Sequence, residues 1–212
     1  MRILMIAMVL SMILPAAGFA GDPWGCESEL SASCSLRISV CPRGDFESIA
    51  KGCGGTGDYI EVIIRDASGN EIAGIPWTDY WMDSCDPAYA LHLCMGAFTA
   101  DSLTGPDGRT TFSGKISAGG CIPSGGIWVS CQGMTILNPE CTLPVCLDVV
   151  IVSPDLNVDG VINLSDLTFF GLSYNKHSGD AGYDTCCDFN DDDWCDLSDF
   201  SFLGEHYEHA CF

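Results

Sequence analysis

Between residues 36 and 152 short apolar runs alternate with turn-forming residues, and no stretch keeps a helical period. Runs at 36–41, 59–66, 71–76, 89–95, 110–117, 127–130 and 145–152 read as strands. Between them lie Ala67-Ser68-Gly69-Asn70 and Pro106-Asp107-Gly108. These are turn sequences, because glycine reaches left-handed φ at no steric cost and Asp or Asn bonds its own backbone. Short strands at this spacing predict an antiparallel β-sandwich of roughly 120 residues, enough for one core. Beyond residue 153 the period changes. Leu164, Leu167, Phe170 and Tyr174, then Leu197, Phe200, Leu203 and Tyr207, recur at helical spacing. The expected organisation is a leader at 1–20, a short segment at 21–35, a mainly β front domain at 36–152 and a small α-helical unit at 153–212.

Each helical pattern follows a loop of oxygen-bearing side chains. Asp155, Asn157, Asp159, Gly160, Ile162, Asn163 and Asp166 stand at offsets 1, 3, 5, 6, 8, 9 and 12 of the first loop. A hard divalent cation needs six to eight oxygens within ~2.5 Å, and alternate residues of a tight loop supply them when a glycine turns the chain midway. Thirty-three residues on, the pattern returns as Asp188, Asn190, Asp192, Asp196 and Asp199. At that offset the 21-residue stretches beginning at Asp155 and Asp188 share nine identities, among them Leu164/Leu197, Phe169/Phe202 and Tyr174/Tyr207. A repeat of this length implies two like units stacked together. The run 146–153 before the first loop is β-type and ends at Pro154, so each unit is a loop with one exiting helix, half of an EF-hand duplicated.

This duplicated loop-helix unit, over residues 153–209, resembles the type I dockerin family. The resemblance implies two calcium ions ordering a three-helix module that plugs into a cohesin domain of another secreted protein. Its first ion would take Asp155, Asn157, Asp159, Asn163, Asp166 and the Val161 carbonyl. The second would take Asp188, Asn190, Asp192, Asp196, Asp199 and the Trp194 carbonyl. The sequence departs from the family at Asp193, where the sharp turn calls for glycine, and at Cys195, where an aliphatic residue would join the two loops in a short β-contact. On that count the first loop is expected to be the better formed, since left-handed backbone at a non-glycine residue costs ~1 kcal/mol. Leu164-Ser165 and Leu197-Ser198 replace the Ser/Thr pair that often contacts cohesin, and the usual basic pair gives way to Gly171-Leu172 and Gly204-Glu205.

In the front domain, Val62-Ile63-Ile64-Arg65-Asp66-Ala67-Ser68-Gly69-Asn70, then Ile72, Gly74 and Ile75, resembles bacterial Ig-like domains of the invasin type. Thr104-Gly105-Pro106-Asp107-Gly108-Arg109-Thr110-Thr111-Phe112 resembles that family's second hallmark. The resemblance implies an extracellular spacer or adhesive module.

Charge and cysteine content narrow the partners and the compartment. The net charge is −21 with only eight basic residues. Phosphate binding needs clustered Lys and Arg, so nucleic acid is excluded as a partner. Arg2, the apolar run 3–14, and small residues at 18 and 20 form a secretory signal with cleavage expected after Ala20. That run is too short to span a bilayer, which needs ~20 apolar residues, so the chain reads as secreted or at the cell surface. The fourteen cysteines are Cys26, Cys34, Cys41, Cys53, Cys85, Cys94, Cys121, Cys131, Cys141, Cys146, Cys186, Cys187, Cys195 and Cys211. In an oxidising compartment an even number predicts disulfides throughout and no free thiol. The last four are expected to pair among themselves. Front-domain spacing is too irregular for paired zinc knuckles.

No catalytic constellation emerges. His92 is the front domain's one histidine and lacks a nucleophile turn. Asp79, Asp83, Asp86 and Asp101 read as loop carboxylates rather than a glycosidase pair, and Trp77, Tyr80 and Trp81 as packing rather than a sugar platform. His206 and His209 suit a solvated helix end. The expectation is a secreted, non-catalytic protein displaying an Ig-like domain and docking through its calcium module. The alternative is a carbohydrate-binding or adhesive cell-surface protein whose calcium module is only a staple.

Overall fold

The computed structural model describes residues 21–94, 96 and 98–211. The leader therefore lies outside the described residues, as does Met95, the last residue of the strand predicted at 89–95. In chain order the elements are β1 (Glu29–Ala32), β2 (Leu36–Ser39), β3 (Ile60–Ile63), β4 (Tyr80–Ser84), β5 (Ala90–Leu93), β6 (Arg109–Phe112) and β7 (Ala118–Cys121). They continue as β8 (Ile127–Cys131), β9 (Met134–Thr135), β10 (Val149–Val152), α1 (Leu164–Ser173), β11 (Lys176–His177), β12 (Trp194–Cys195) and α2 (Leu197–Glu205). The fold is mainly β, with two short helices.

Antiparallel pairing gives the sheets β1-β3-β6, β4-β8-β9 and β5-β7. Their alternating faces meet in one core, with Ile60, Val62, Phe112, Met82, Val129, Leu91 and Leu93 turned inward. Phe112 stacks on Phe98 at 4.3 Å and takes the edge of Tyr80 at 5.1 Å. The expectation of purely antiparallel pairing fails at one place: β10 lies parallel to β2, with Val149 opposite Leu36 and Val152 opposite Ser39. The sequence Val-Val-Ile-Val of β10 explains this position. A run without alternation belongs to a strand covered on both faces. Val149 and Ile151 enter the front core, while Val150 and Val152 pack into a second apolar cluster shared with the C-terminal unit. Just past β7, Ile122 exchanges backbone hydrogen bonds with Ile151 at 2.7 and 3.0 Å, tying β5-β7 to β10.

Two turn sequences resembling the invasin type sit against each other. Asp66 Oδ1 accepts from the backbone N–H of Ser68 at 2.8 Å and of Asn70 at 2.9 Å, closing the first turn. The Gly108 carbonyl, in the second, accepts from Ile64 N–H at 2.9 Å. A Cβ on Gly108, at φ +69°, would stand 2.5 Å from the Ile64 carbonyl oxygen, so that contact requires glycine. Segment 71–76 is not a regular strand as expected. It is tied instead to buried Thr104, whose Oγ1 donates to Ile72 O at 2.8 Å and accepts from Ile75 N–H at 2.9 Å. The strand predicted at 110–117 stops at Phe112, and the chain forms a new strand from Ala118. Segment 21–35 is part of the β domain, since β1 pairs along β3.

Disulfides join Cys26–Cys141, Cys34–Cys53, Cys85–Cys146, Cys94–Cys211 and Cys121–Cys186. That many bridges fits an extracellular, oxidising setting. Two of them correct the expected grouping. Cys186 and Cys211 do not pair within the C-terminal unit; they bolt it to β7 and to the residue after β5. The expectation of no free thiol also fails, because Cys41, Cys131, Cys187 and Cys195 are unbridged and buried. Cys187 and Cys195 are neighbours in one apolar cluster, but Cys41 and Cys131 sit in different clusters. Denaturing the unreduced protein with an alkylating agent should therefore modify at least Cys41 and Cys131. Mass measurement showing no adduct would mean that these two thiols are bridged after all.

Candidate calcium centre and its seat on the front domain

Both loops fold as sequence-related copies. The first-position carboxylate turns inward and collects the N–H groups of the loop's middle: Asp155 Oδ2 accepts from Gly160 at 2.8 Å and Asp188 Oδ2 from Asp193 at 3.0 Å. The twelfth-position carboxylate crosses the loop, Asp166 accepting from Asn157 N–H at 3.1 Å and Asp199 from Phe189 N–H at 2.7 Å. Its other oxygen closes a capping box, from Asn163 N–H at 2.8 Å and Asp196 N–H at 2.9 Å. At the third and fifth positions, the Asn157 amide donates to Asp159 and the Asn190 amide to Asp192, at 2.9 and 2.8 Å. Asn163 and Asp196 turn their side chains to cap α1 and α2, accepting from Ser165 and Ser198 N–H at 2.7 Å. An ion is commonly reached through water from that ninth position. The Asn163 amide also donates to the Val161 carbonyl at 3.2 Å, holding that oxygen at the seventh position, and Trp194 holds the equivalent place in β12.

The electrostatics of this arrangement call for a cation. Asp155, Asp166 and Asp199 are 0 % exposed and Asp188 is 2 % exposed, yet among the described residues no basic side chain pairs with any of them. Burial, with the charges of Asp166 and Asp159 added, pushes the Asp155 carboxyl up to about 6 against the pull of its N–H donors. Burial likewise raises Asp199, helped by Asp188 and Asp192. Buried like charges of this kind are retained where a metal neutralises them. All-oxygen donors fit a hard divalent ion. In the second loop, donors from Asp188, Asp192 and Asp199 all lie within 4.8 Å of one another.

The structure evens the expected inequality between the loops. Asp193 does carry left-handed backbone, φ +67°, where Gly160 has φ +82°. But the first loop has Val158 at φ +63°, and a β-branched residue is worse there than Asp191, its counterpart at φ +62°. The expected β-contact between Ile162 and Cys195 is absent. Each loop instead pairs with the segment that leaves the other unit's helix. Ile162 exchanges hydrogen bonds with Glu208 and His209 at 2.8 and 2.9 Å, and β12 pairs with β11 just after α1.

Sequence reading missed the residues that seat these loops. Asp155 lies against Gly119, where a Cβ would stand 1.7 Å from Oδ2, and its carbonyl accepts from Gly120 N–H at 2.8 Å. The signal was available, since glycine inside a strand marks close approach of another group. Arg37 of β2 donates to the Asp188 carbonyl at 2.5 Å and brings Nε within 3.1 Å of Asp191. Ser39 donates to the Phe189 carbonyl at 2.8 Å. His92 is a seat as well: its Nδ1 lies 3.2 Å from the Val158 carbonyl oxygen. Asp101 is held by Thr111 and Ser113, and Asp79 by Gln132, as turn carboxylates. Tyr80 is buried, whereas Trp77 and Trp81 are exposed, so the expected packing role holds only for Tyr80.

Gly119→Ala should displace Asp155, at about 1–3 kcal/mol for overpacking. That is roughly five- to 150-fold in first-loop calcium affinity, read by calorimetric titration of the full chain against Gly114→Ala, whose Cβ position is open. Acidity acts with opposite sign on the two forms. Asp155 has its carboxyl raised in the metal-free fold above the unfolded value of ~3.9. Its contribution to metal-free stability is therefore present below pH ~4 and lost as pH rises through about 6, while a calcium ion in the loop would have to displace that proton. Titrations at pH 5 and pH 7.5 should show proton release and weaker first-loop binding at the lower pH, and pH-independent binding would contradict this.

No family model and no curated protein matches the chain. Two solved structures are similar to it in part. They are crystal structures of an N-terminal and a C-terminal interface mutant of a type II Cohesin-X-Dockerin complex from Acetivibrio cellulolyticus, at 15 % and 12 % identity. Each match covers 86 % of this chain and 97 % of the other, with a TM-score of 0.30, an overlap too loose to carry an argument about fold or function.

Proposed function

We propose that this chain is a secreted, non-catalytic docking protein. Its C-terminal loops bind two calcium ions, and the helices they order dock a cohesin-like domain of another protein, with the Ig-like front domain as the displayed module. The supporting observation is the surface of the two helices. Only Phe170 of α1 and Leu203 of α2 are buried apolar residues there. Leu164, Leu172 and Leu197 remain 66, 67 and 64 % exposed, and Phe169 and Phe200 are also exposed. Leu164 and Leu197 occupy equivalent places in the repeat, at the start of each helix. Between the helices runs a shallow apolar groove formed by Leu167, Phe170, Gly171, Tyr174, Leu197 and Phe200. A contiguous apolar surface on a chain of net charge −21 is a mark of an interaction site. Among the described residues no helix is long and apolar enough to cross a membrane.

A second reading has its own support. The C-terminal unit is bolted to the front domain by two disulfides and shares β10 with it. Calcium would then only staple the C-terminus, and exposed Trp77 and Trp81 would face a polysaccharide or cell-surface ligand.

Immobilised cohesin domains probed with the full chain separate the two. Docking predicts binding that EDTA removes and that Leu164→Glu with Leu197→Glu weakens by at least about 2 kcal/mol, or some thirtyfold. Binding that ignores both treatments, or no binding to any cohesin alongside retention on polysaccharide lost in Trp77→Ala, would favour the staple.

A further inference from the structure

The geometry points to a second kind of metal centre, a zinc site built from Cys41, Asp45, His206 and His209, which clamps the end of α2 to the loop after β2. All four side chains offer donor atoms within 4.8 Å of one another. Cys41 Sγ lies 2.8 Å from Asp45 Oδ1 and 3.9 Å from His209 Nδ1. Asp45 Oδ1 lies 3.5 Å from His206 Nδ1 and 3.3 Å from His209 Nδ1, and the two imidazole nitrogens are 3.3 Å apart. Bonds of 2.0–2.3 Å around a tetrahedral ion place donors about 3.3–3.8 Å apart. Four of these five distances lie at or near that range. The shorter Cys41–Asp45 contact is where the thiol proton now bridges sulfur and carboxylate, and metal binding removes such a proton.

The donor set selects the ion. One thiolate, two imidazoles and one carboxylate suit a borderline-soft, four-coordinate metal, whereas calcium takes oxygens alone. The site is also supported from behind. His206 is stacked on Phe46 at 4.4 Å, which fixes its ring, and the His209 carbonyl accepts from Ile162 N–H of the first loop at 2.9 Å. Cys41 is buried and unbridged, as are Cys131, Cys187 and Cys195, but of these four only Cys41 lies with a carboxylate and two imidazoles. A metal ligand is a reason to keep it so. The expected closed, structural geometry leaves only the Asp45 side open, at 43 % exposure against 13 and 16 % for the two histidines.

The test uses the full chain saturated with calcium, so that the acidic loops are already filled. Zinc titration with elemental analysis should give one zinc per chain, and cobalt(II) should give a thiolate-to-metal charge-transfer band with tetrahedral d–d absorption. On the unaltered protein, one equivalent of zinc should protect Cys41 from alkylation. Cys41→Ser should abolish the charge-transfer band. His209→Gln should weaken zinc binding by more than the roughly 10–100-fold that follows loss of a mere supporting partner. Failure to bind zinc, undiminished affinity in both variants, or alkylation of Cys41 at the same rate with and without zinc would each overturn the site.

Discussion

Asp155, Asp166, Asp188 and Asp199 are carboxylates taken out of water, and among the described residues no basic side chain pairs with any of the four carboxylates; the rest of the C-terminal unit is arranged around that fact. A buried unpaired charge costs far more than a surface one, and a lone carboxylate in that position would hold its proton. Here backbone N–H groups line the carboxylates, yet burial still raises Asp155 and Asp199. Two of the four, Asp166 and Asp199, also close the capping boxes of α1 and α2. The carboxylates at the twelfth loop positions thus also define the helix starts, so on the proposed reading an ion in the loops would brace the helices that carry the exposed leucines.

The two units are braced across each other rather than side by side. The first loop is held by the segment after α2, the second by the segment after α1, and repeat-equivalent pairs such as Val161 with Ala210 and Trp194 with His177 show the shared geometry. Neither unit completes its own hydrogen bonding. Contact with the front domain is similarly direct, since Gly119 leaves the space that Asp155 fills, Gly120 N–H donates to the Asp155 carbonyl, and β10 divides its side chains between two clusters.

Much of this was legible in the residues. The loop offsets, the exiting helices and the missing entering helix were read from ligand spacing and periodicity, as were the strands around Ile60–Ile63 and Ile127–Cys131. What escaped had a common cause: it depended on partners far away in the chain. Glu29–Ala32 is too polar and short to announce a strand without β3 beside it. The parallel pairing of β2 with β10 joins the first and last parts of the core, which local pattern does not encode. Cysteine connectivity is the clearest case, because proximity in sequence suggested pairs among Cys186, Cys187, Cys195 and Cys211, whereas the fold bridges Cys186 and Cys211 to the front domain and leaves Cys187 and Cys195 unbridged. Cys41 and Asp45 meet His206 and His209 only once that division is made.

The bridge from Cys94 to Cys211 closes a loop of sequence separation 117, beyond α2. It makes the C-terminal unit a captive. An unattached module that lost its ions could drift off or be clipped away, but this one would remain on a tether pinned at its far end. Rebinding to the front domain is then an intramolecular event, governed by an effective concentration set by the tether rather than by dilution. Re-docking of the two units after any local opening would accordingly be independent of protein concentration.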